Sequence, residues 1–121
     1  MTRFVEKPWG GEEVFARSEL YVGKILTVRA GHALSLQYHV RKDETMRVVE
    51  GRCELHLGRG PGSRDLDVSV LEPGDVRHIG PGVLHRVVAL TDVRIFEVST
   101  PELDDVVRLE DRYGRAGTRN P

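Results

Sequence analysis

The sequence predicts an all-β fold, a sandwich or barrel of short strands. Segments rich in valine, isoleucine and leucine recur at roughly ten-residue spacing, and glycine or proline turns separate them. No stretch shows a convincing helical period. The nearest is 101–112, where spaced leucine and valine residues predict a short turn or helix near the carboxyl end.

The first four predicted strands each end at a turn signal. Segment 24–29 runs into Ala-Gly, and 34–39 runs into a charged turn. Segment 46–50 stops at Gly51, and 53–57 is followed by a loop rich in glycine. Apolar and polar residues alternate in 53–57, which is typical of a strand with one buried face.

The remaining four predicted strands follow the same pattern. Segments 66–71 and 76–79 are separated by Glu-Pro-Gly-Asp, and Gly-Pro-Gly follows the second of them. Segments 85–90 and 93–98 complete the series. We expect positive φ angles at the glycines that end these strands, because only glycine adopts such angles without strain; they are Gly31, Gly51, Gly74 and Gly82.

Length and charge limit the classes of function. A chain of 121 residues predicts one domain spanning 1–121, with 115–121 as a flexible tail. The 18 basic and 19 acidic residues nearly cancel, so we expect neither nucleic-acid nor membrane binding. The amino terminus lacks the apolar core of a signal peptide. Cys53 is the only cysteine, which excludes an intrachain disulfide, favours the cytoplasm and makes Cys53 a buried filler.

Four side chains have the pattern of metal ligands. Gln37 and His39 lie two residues apart, so on a strand they point to the same face. Glu44 can return from the following turn, and His85 can approach from another strand. Two imidazoles, a carboxylate and an amide suit a divalent ion such as Zn²⁺, Fe²⁺, Mn²⁺ or Ni²⁺.

Each of the four residues also has an ordinary structural interpretation. Gln37 alone is typical of a polar surface residue, and His39 alone of a hydrogen-bonded histidine. Glu44 follows Lys42 and Asp43 and could belong to a solvated charged turn. The joint spacing is what favours a metal site, and His56 and His78, which do not fit it, are left out.

The two segments resemble the motifs of the cupin superfamily, which are small double-sheet, jelly-roll-like β-barrels. The first motif is represented by Gly31, Gln37, His39, Glu44 and Gly51, with glutamine in place of the first histidine. The second is represented by Gly74, Gly80, Gly82, His85 and Ala89, with alanine in place of the usual asparagine.

Within the cupins the chain is similar to the carboxy-terminal domain of type II mannose-6-phosphate isomerases. That domain usually follows a mannose-1-phosphate guanylyltransferase, which is absent from this sequence, so a free-standing isomerase-like cupin is expected if the chain is complete. The resemblance rests on Leu-Ser-Leu-Gln at 34–37 and Tyr-Gly-Arg at 113–115, together with 7–10, 48–51, 85–86, 97–98, 105–108 and 110–112. Met46 departs from it, because a tryptophan is usual there.

The resemblance implies an aldose–ketose isomerase that uses a divalent ion, with Zn²⁺ favoured, to polarise the oxygens on C1 and C2. Lys24 matches a lysine of the related domains and is the predicted acid/base. Arg41 matches an arginine of the isomerase motif and is the predicted anion contact. Arg86 follows a ligand directly, so its side chain should point to the opposite face. Glu97 is either a carboxylate of the pocket or the partner of a neighbouring arginine.

Two other classes of function remain compatible with the sequence. A cupin with the same metal could act on another small molecule as a cyclase, epimerase or oxygenase. A non-catalytic sugar-binding barrel is the other alternative. For the leading hypothesis the expected partners are a sugar phosphate and a second copy of the chain, which would pair through the amino-terminal strand. Trp9 would then cover the barrel mouth or anchor that interface.

Overall fold

A computed structural model describes residues 3–114 and 117–119, and within them it shows twelve antiparallel strands and no helix. A membrane-spanning helix is accordingly absent from this part of the chain. The all-β prediction is confirmed. The strands are β1 (Arg3–Lys7), β2 (Gly10–Arg17), β3 (Val22–Val28), β4 (Leu36–Tyr38), β5 (Glu44–Glu50), β6 (Cys53–Gly58), β7 (Leu66–Leu71), β8 (Val76–Ile79), β9 (His85–Ala89), β10 (Val93–Ser99), β11 (Val106–Glu110) and β12 (Gly117–Arg119).

The described strands form two six-stranded sheets that enclose the core. Sheet I has the order β1-β2-β3-β10-β5-β8, and sheet II has the order β12-β11-β4-β9-β6-β7. Val48 and Ile95 of sheet I belong to one apolar cluster with Leu55 and Val87 of sheet II, and all four are at most 3% exposed. This burial of apolar side chains between two sheets is the double-sheet barrel that the cupin resemblance implied.

All eight predicted strands are present as β3 to β10, with small differences in their ends. Strands β1 and β2 were not among those predicted. The segment 101–112 forms a turn and then β11, so the helix alternative is wrong. Val106 and Val107 are β-branched, and pairing with β12 and β4 gives their backbone groups partners. Of 115–121, residues 117–119 form β12; the others lie outside the described residues, and flexibility there stays a prediction.

The inward faces of the strands change from apolar to polar along the barrel. On β10, Val93 and Ile95 are buried and apolar, whereas Glu97 and Ser99 are buried and polar. The cross-strand partners follow the same order, with Lys24 opposite Glu97. Toward the apolar end, Leu26 and Val48 both pair with Ile95, and Val28 pairs with Val93. One end of the interior is therefore a hydrophobic core, and the other end collects buried polar groups.

The turn between β5 and β6 shows why one predicted glycine cannot be replaced. Gly51 has φ of 79°, and a Cβ atom there would lie 2.0 Å from the carbonyl oxygen of Asp92. Both the backbone angle and the close approach exclude a side chain. The positive φ expected at four strand ends is confirmed for Gly31, Gly51, Gly74 and Gly82.

Two further side chains have clear positions in the core. Cys53 is fully buried, and burial together with the nearby Asp75 raises the pKa of its thiol to about 11. A thiol in this state is unreactive, as expected for a filler. Trp9 is 4% exposed and packs in the core of its own chain. It is therefore not available as an exposed anchor for a second subunit.

Candidate metal centre

Strands β4, β5 and β9 bring the predicted ligands to the polar end of the barrel. Gln37 lies on β4 directly opposite His85 on β9, and His39 follows β4 by one residue. Glu44 is the first residue of β5. His39, Glu44 and His85 are 3%, 4% and 5% exposed, so all three groups are removed from bulk solvent.

The two imidazoles and the carboxylate converge on one point. Glu44 Oε1 lies 3.1 Å from His39 Nε2 and 3.2 Å from His85 Nε2. One donor atom from each of the three residues lies within 4.8 Å of the other two. The group brings together segments that are forty residues apart, as the spacing of the motifs predicts.

Hydrogen bonds on the far side of each ring fix which nitrogen faces Glu44. His39 Nδ1 donates to the carbonyl oxygen of Asp105 at 2.6 Å, and His85 Nδ1 donates to that of Val83 at 3.0 Å. A carbonyl oxygen only accepts, so both Nδ1 atoms carry a hydrogen, and in a neutral ring Nε2 presents its lone pair. Two lone pairs and a carboxylate therefore point at one another, an arrangement that requires a cation between them.

That cation can be a proton or a metal ion. In the metal-free protein, burial alone would lower the pKa of His85, but the hydrogen bond and charge of Glu44 outweigh it and raise that pKa. Burial alone would raise the pKa of Glu44, yet the hydrogen bonds with His39 and His85 hold it well below its usual range. For a metal, bonds of about 2.0–2.1 Å in a tetrahedron separate ligand atoms by about 3.3 Å, close to the 3.1 and 3.2 Å that separate Glu44 Oε1 from the two Nε2 atoms. The donors of His39, Glu44 and His85 therefore fit a divalent metal ion.

Gln37 lies beside this group. It lines the same cavity as His39, and its Oε1 accepts a hydrogen bond of 2.6 Å from Ser35 Oγ. An amide oxygen has two lone pairs, so this bond leaves one for another partner. The role of Gln37 as the fourth ligand stays a prediction.

Lys42, which was not predicted from the sequence, is part of the buried site. Its side chain is 5% exposed, and Nζ lies 3.4 Å from Glu44 Oε2 and 3.2 Å from Glu97 Oε2. Burial alone would lower the pKa of Lys42, but Glu97 and Glu44 outweigh it and raise that pKa, so Lys42 is a fixed cation. The solvated-turn interpretation is wrong for Glu44 and Lys42. Residues 42, 44, 46 and 48 all face inward, but the charged side chains at 42 and 44 gave no apolar signal that could have revealed this from the sequence.

A cavity of about 90 Å³ extends from His39 between the two sheets. Lys24 is 7% exposed and faces it, with Nζ 3.3 Å from Glu12 Oε2 and 3.5 Å from Glu97 Oε2. Glu97 therefore pairs with lysines rather than with an arginine. The polar lining consists of Lys7, Glu12, Lys24, Ser35, Gln37, His39, Lys42, Glu97 and Arg108, and the apolar lining of Trp9, Leu26, Leu34, Leu103 and Val106.

Asp105 holds the loop that joins His39 to Glu44, a role that was not predicted from the sequence. Its carboxylate accepts hydrogen bonds from three consecutive backbone N–H groups, those of Val40, Arg41 and Lys42, at 2.9, 2.6 and 2.8 Å. Its own carbonyl oxygen accepts from His39, as described above. One residue thus orients both a ligand and the chain that follows it.

The other candidate residues lie outside the inner cavity. Arg41 is exposed and lines an outer cleft of about 550 Å³ with Arg17, and Leu103 borders both this cleft and the cavity. Arg86 points away from the core, as expected, and donates to Glu110 Oε1 at 2.8 Å. The excluded histidines pair with carboxylates elsewhere, His56 with Glu54 and His78 with Asp43.

Comparison with known proteins adds three similarities. The mannose-1-phosphate guanylyltransferase ManC of Salmonella typhimurium is 32% identical over 95% of this chain, which spans 24% of ManC. KdgF from a Halomonas species has a TM-score of 0.71 at 22% identity, covering 82% of this chain and 87% of KdgF. An RmlC-like cupin from Shewanella frigidimarina has a TM-score of 0.71 at 20% identity, covering 83% and 84%.

These similarities carry different weight. The two solved structures are too distant in sequence to show more than the fold, which they confirm as a cupin barrel. The chain spans about a quarter of the length of the curated relatives it matches. The family model described as mannose-6-phosphate isomerase C-terminal matches residues 1–111, nearly the whole chain. The chain therefore belongs to the mannose-6-phosphate isomerase C-terminal family.

Proposed function

We propose that this chain is a metal-dependent sugar-phosphate isomerase that interconverts mannose 6-phosphate and fructose 6-phosphate. The observation that carries the proposal is the convergence of three buried acceptor atoms, from His39, Glu44 and His85, beside a cavity lined with ammonium groups. Family membership and the sugar-phosphate enzyme ManC among the relatives support the substrate class.

Zn²⁺ is the proposed ion, with Fe²⁺, Mn²⁺ and Ni²⁺ as alternatives, held by His39, Glu44 and His85 with Gln37 as the fourth ligand. When bound, the ion supplies a Lewis acid that polarises substrate oxygens. The backbone carbonyls of Asp105 and Val83 keep both imidazoles turned with Nε2 inward. Such partners of metal-binding histidines typically contribute about 10- to 100-fold in metal affinity.

The cavity walls provide the other groups that the reaction needs. Lys24 is the proposed proton donor and acceptor for the substrate oxygens, because its ammonium group faces the cavity. Arg41 is the proposed anion contact, placed in the outer cleft that adjoins the cavity at Leu103. Trp9 and Leu26 exclude water from the apolar side, which strengthens electrostatic interactions inside.

The experiment combines metal analysis with turnover. Protein purified without added metal is analysed for its elements, loaded with Zn²⁺ and assayed by NMR with mannose 6-phosphate, beside a known isomerase in the same buffer. We expect close to one ion per chain and interconversion of the two sugar phosphates. Metal at about 100 times its Kd should raise the unfolding free energy by about 2.7 kcal/mol and Tm by about 10 °C.

Other results would favour the alternatives. Failure of the metal-replete protein to interconvert the sugar phosphates, while the known isomerase works, rejects the proposal. A tightly bound metal without such turnover favours a different substrate. A metal-free protein whose Tm ignores chelator favours a non-catalytic barrel. The predicted homodimer is tested separately by light scattering.

A further inference from the structure

Glu97 lies at the centre of a buried row of alternating charges. From the metal centre outward, Glu44 Oε2 lies 3.4 Å from Lys42 Nζ, which lies 3.2 Å from Glu97 Oε2. Glu97 Oε2 lies 3.5 Å from Lys24 Nζ, which lies 3.3 Å from Glu12 Oε2. The side chains of the five residues are between 3% and 17% exposed. The row leads from the candidate metal ligands along the cavity.

The two oxygens of Glu97 have different surroundings. Lys24 and Lys42 both approach Glu97 at Oε2, and Oε1 accepts no hydrogen bond from any described residue. Some polar atoms in this part of the chain are fully enclosed and have no hydrogen-bond partner. Oε1 of Glu97 is not one of them, so it is not fully enclosed. Because Glu97 lines the cavity, one oxygen is anchored by two cations while the other is left for whatever the cavity contains.

The geometry points to Glu97 as the catalytic base that moves the hydrogen between C2 and C1 of the substrate. This assignment rests on the proposed isomerase function and names a residue for its carbon-to-carbon proton transfer. An ionised carboxylate fixed by two ammonium groups is a base whose position does not vary, which general base catalysis requires. Lys24, bound to the same carboxylate, is then adjacent to the carbon from which Glu97 takes the proton.

The transfer balances without any further reactant. Glu97 Oε1 takes the hydrogen of C2 as a proton, and the electron pair of that C–H bond forms a C1–C2 double bond. The carbonyl electron pair moves to O1, which takes a proton from the ammonium group of Lys24, and the product is an enediol. In the second half, Lys24 takes the proton of O2, a carbonyl forms at C2, and the protonated Glu97 returns its proton to C1. Both side chains end in their original states.

A single carboxylate can serve both carbons, because C1 and C2 are adjacent in the chain and present the same face of the enediol. Oε2 of Glu97 need not move, because the hydrogen bond from Lys42 Nζ holds it while Oε1 and Lys24 exchange protons with the substrate. Lys42 acts here as a positioning residue: it contacts Glu97 and Glu44 at once and so fixes the distance between the proposed base and the metal ligands.

The test compares three variants of the zinc-loaded full chain. Glu97→Gln removes the basic oxygen with little change in shape, and Glu97→Asp retracts it by one methylene. Glu13→Gln is the matched control, because Glu13 lies opposite Ile25 and directly follows Glu12, which lines the cavity, so its side chain points to the outside of the same sheet. Each variant is measured for zinc content, for calorimetric binding of sorbitol 6-phosphate, which has no carbonyl, and for turnover of mannose 6-phosphate carrying hydrogen or deuterium at C2.

We expect Glu97→Gln to keep zinc, to bind sorbitol 6-phosphate within about twofold of wild type and to lose about 10²- to 10⁴-fold in kcat. Glu97→Asp should turn over slowly with a larger C2 deuterium isotope effect, because proton transfer becomes more rate-limiting. Glu13→Gln should behave as wild type.

The assignment is overturned if Glu97→Gln retains kcat within about tenfold. It is also overturned if Glu97→Asp loses activity with an unchanged isotope effect, which would indicate a structural role. Should Glu97→Gln lose zinc or fail to fold, the isotope effect of Glu97→Asp decides alone. Inactive wild-type protein rejects the isomerase function itself, a result distinct from each of these.

Discussion

Replacement of Asp105 by asparagine is the sharpest test of how this site is held together. The aspartate carboxylate accepts three backbone N–H groups from the loop 40–42, and its carbonyl oxygen orients the His39 ring. Asparagine keeps one acceptor oxygen but replaces the other with an NH₂ group, which faces N–H donors and repels them. We expect the loop to loosen and the His39 ring to lose its fixed orientation.

The size of the effect follows from the hydrogen bonds that are lost. A bond to a charged group contributes about 1.5–3 kcal/mol, but Asp105 is only partly buried, so water can replace much of it. With a discount to about 1 kcal/mol for each of about two lost bonds, the unfolding free energy falls by about 2 kcal/mol and Tm by about 8 °C. Zinc affinity should fall about 10- to 100-fold, as for other partners of metal-binding histidines.

Urea unfolding at neutral pH and zinc titration against a competing chelator measure both quantities. Asp104→Asn is the matched control, because Asp104 is the preceding residue and is exposed. Burial alone would raise the pKa of Asp105, but the N–H groups of Arg41, Val40 and Lys42 outweigh it and lower that pKa. The difference in unfolding free energy between Asp105→Asn and wild type should thus be largest above the ordinary pKa of 3.8. It should shrink as pH falls through the lower pKa of the folded protein. Asp105→Asn protein within about 0.5 kcal/mol of wild type, with unchanged zinc affinity, would refute the reasoning.

Two other predictions follow from the buried charges. Lys42→Met leaves Glu97 with one cation and removes the contact of Glu44 Oε2 seen here. We expect the unfolding free energy to fall by about 3 kcal/mol and Tm by about 12 °C, measured by calorimetry of the metal-free protein. An unchanged Tm would contradict the ion-pair geometry. The raised pKa of His85 means that its charged pairing with Glu44 is complete below the ordinary value of 6.5 and is lost as pH rises through the folded pKa. Zinc must displace that proton, so the zinc-induced rise in Tm should increase from about pH 6 to about pH 8, and a pH-independent rise would count against His85 as a ligand.

The fold was predictable because its signals are local. Turn residues and short aliphatic runs mark β3 to β10, and period-two alternation places residues such as Arg86 on the outer face. In β2 the local signal is weak, because Gly-Gly-Glu-Glu does not favour a strand. Pairing with β3 holds this segment in the extended conformation. The strand β11 likewise depends on β4, a contact between residues about seventy positions apart in the chain.

The candidate site was only partly predictable for the same reason. His39, Glu44 and His85 carry side chains whose metal chemistry is recognisable at their spacing. Lys42 and Asp105 have no such mark, because a lysine in a charged turn and an aspartate after a turn are usually solvated. Their roles arise from tertiary contacts, one with Glu97 and one with three backbone N–H groups, and neither contact has a local sequence signal.

The charge of the cavity can attract a phosphate group in addition to the single arginine, Arg41, in the outer cleft. Three lysines and three glutamates in and around it offset one another among the described residues, and Arg108 contributes a positive group to the lining. A divalent ion at His39, Glu44 and His85 would add two positive charges in a water-poor space, where charges interact more strongly than in bulk solvent. A phosphate dianion attached to the substrate offsets most of this excess, so metal loading itself should favour phosphorylated over neutral sugars. Arg41, outside in the cleft, then guides the phosphate rather than supplying the whole of its attraction.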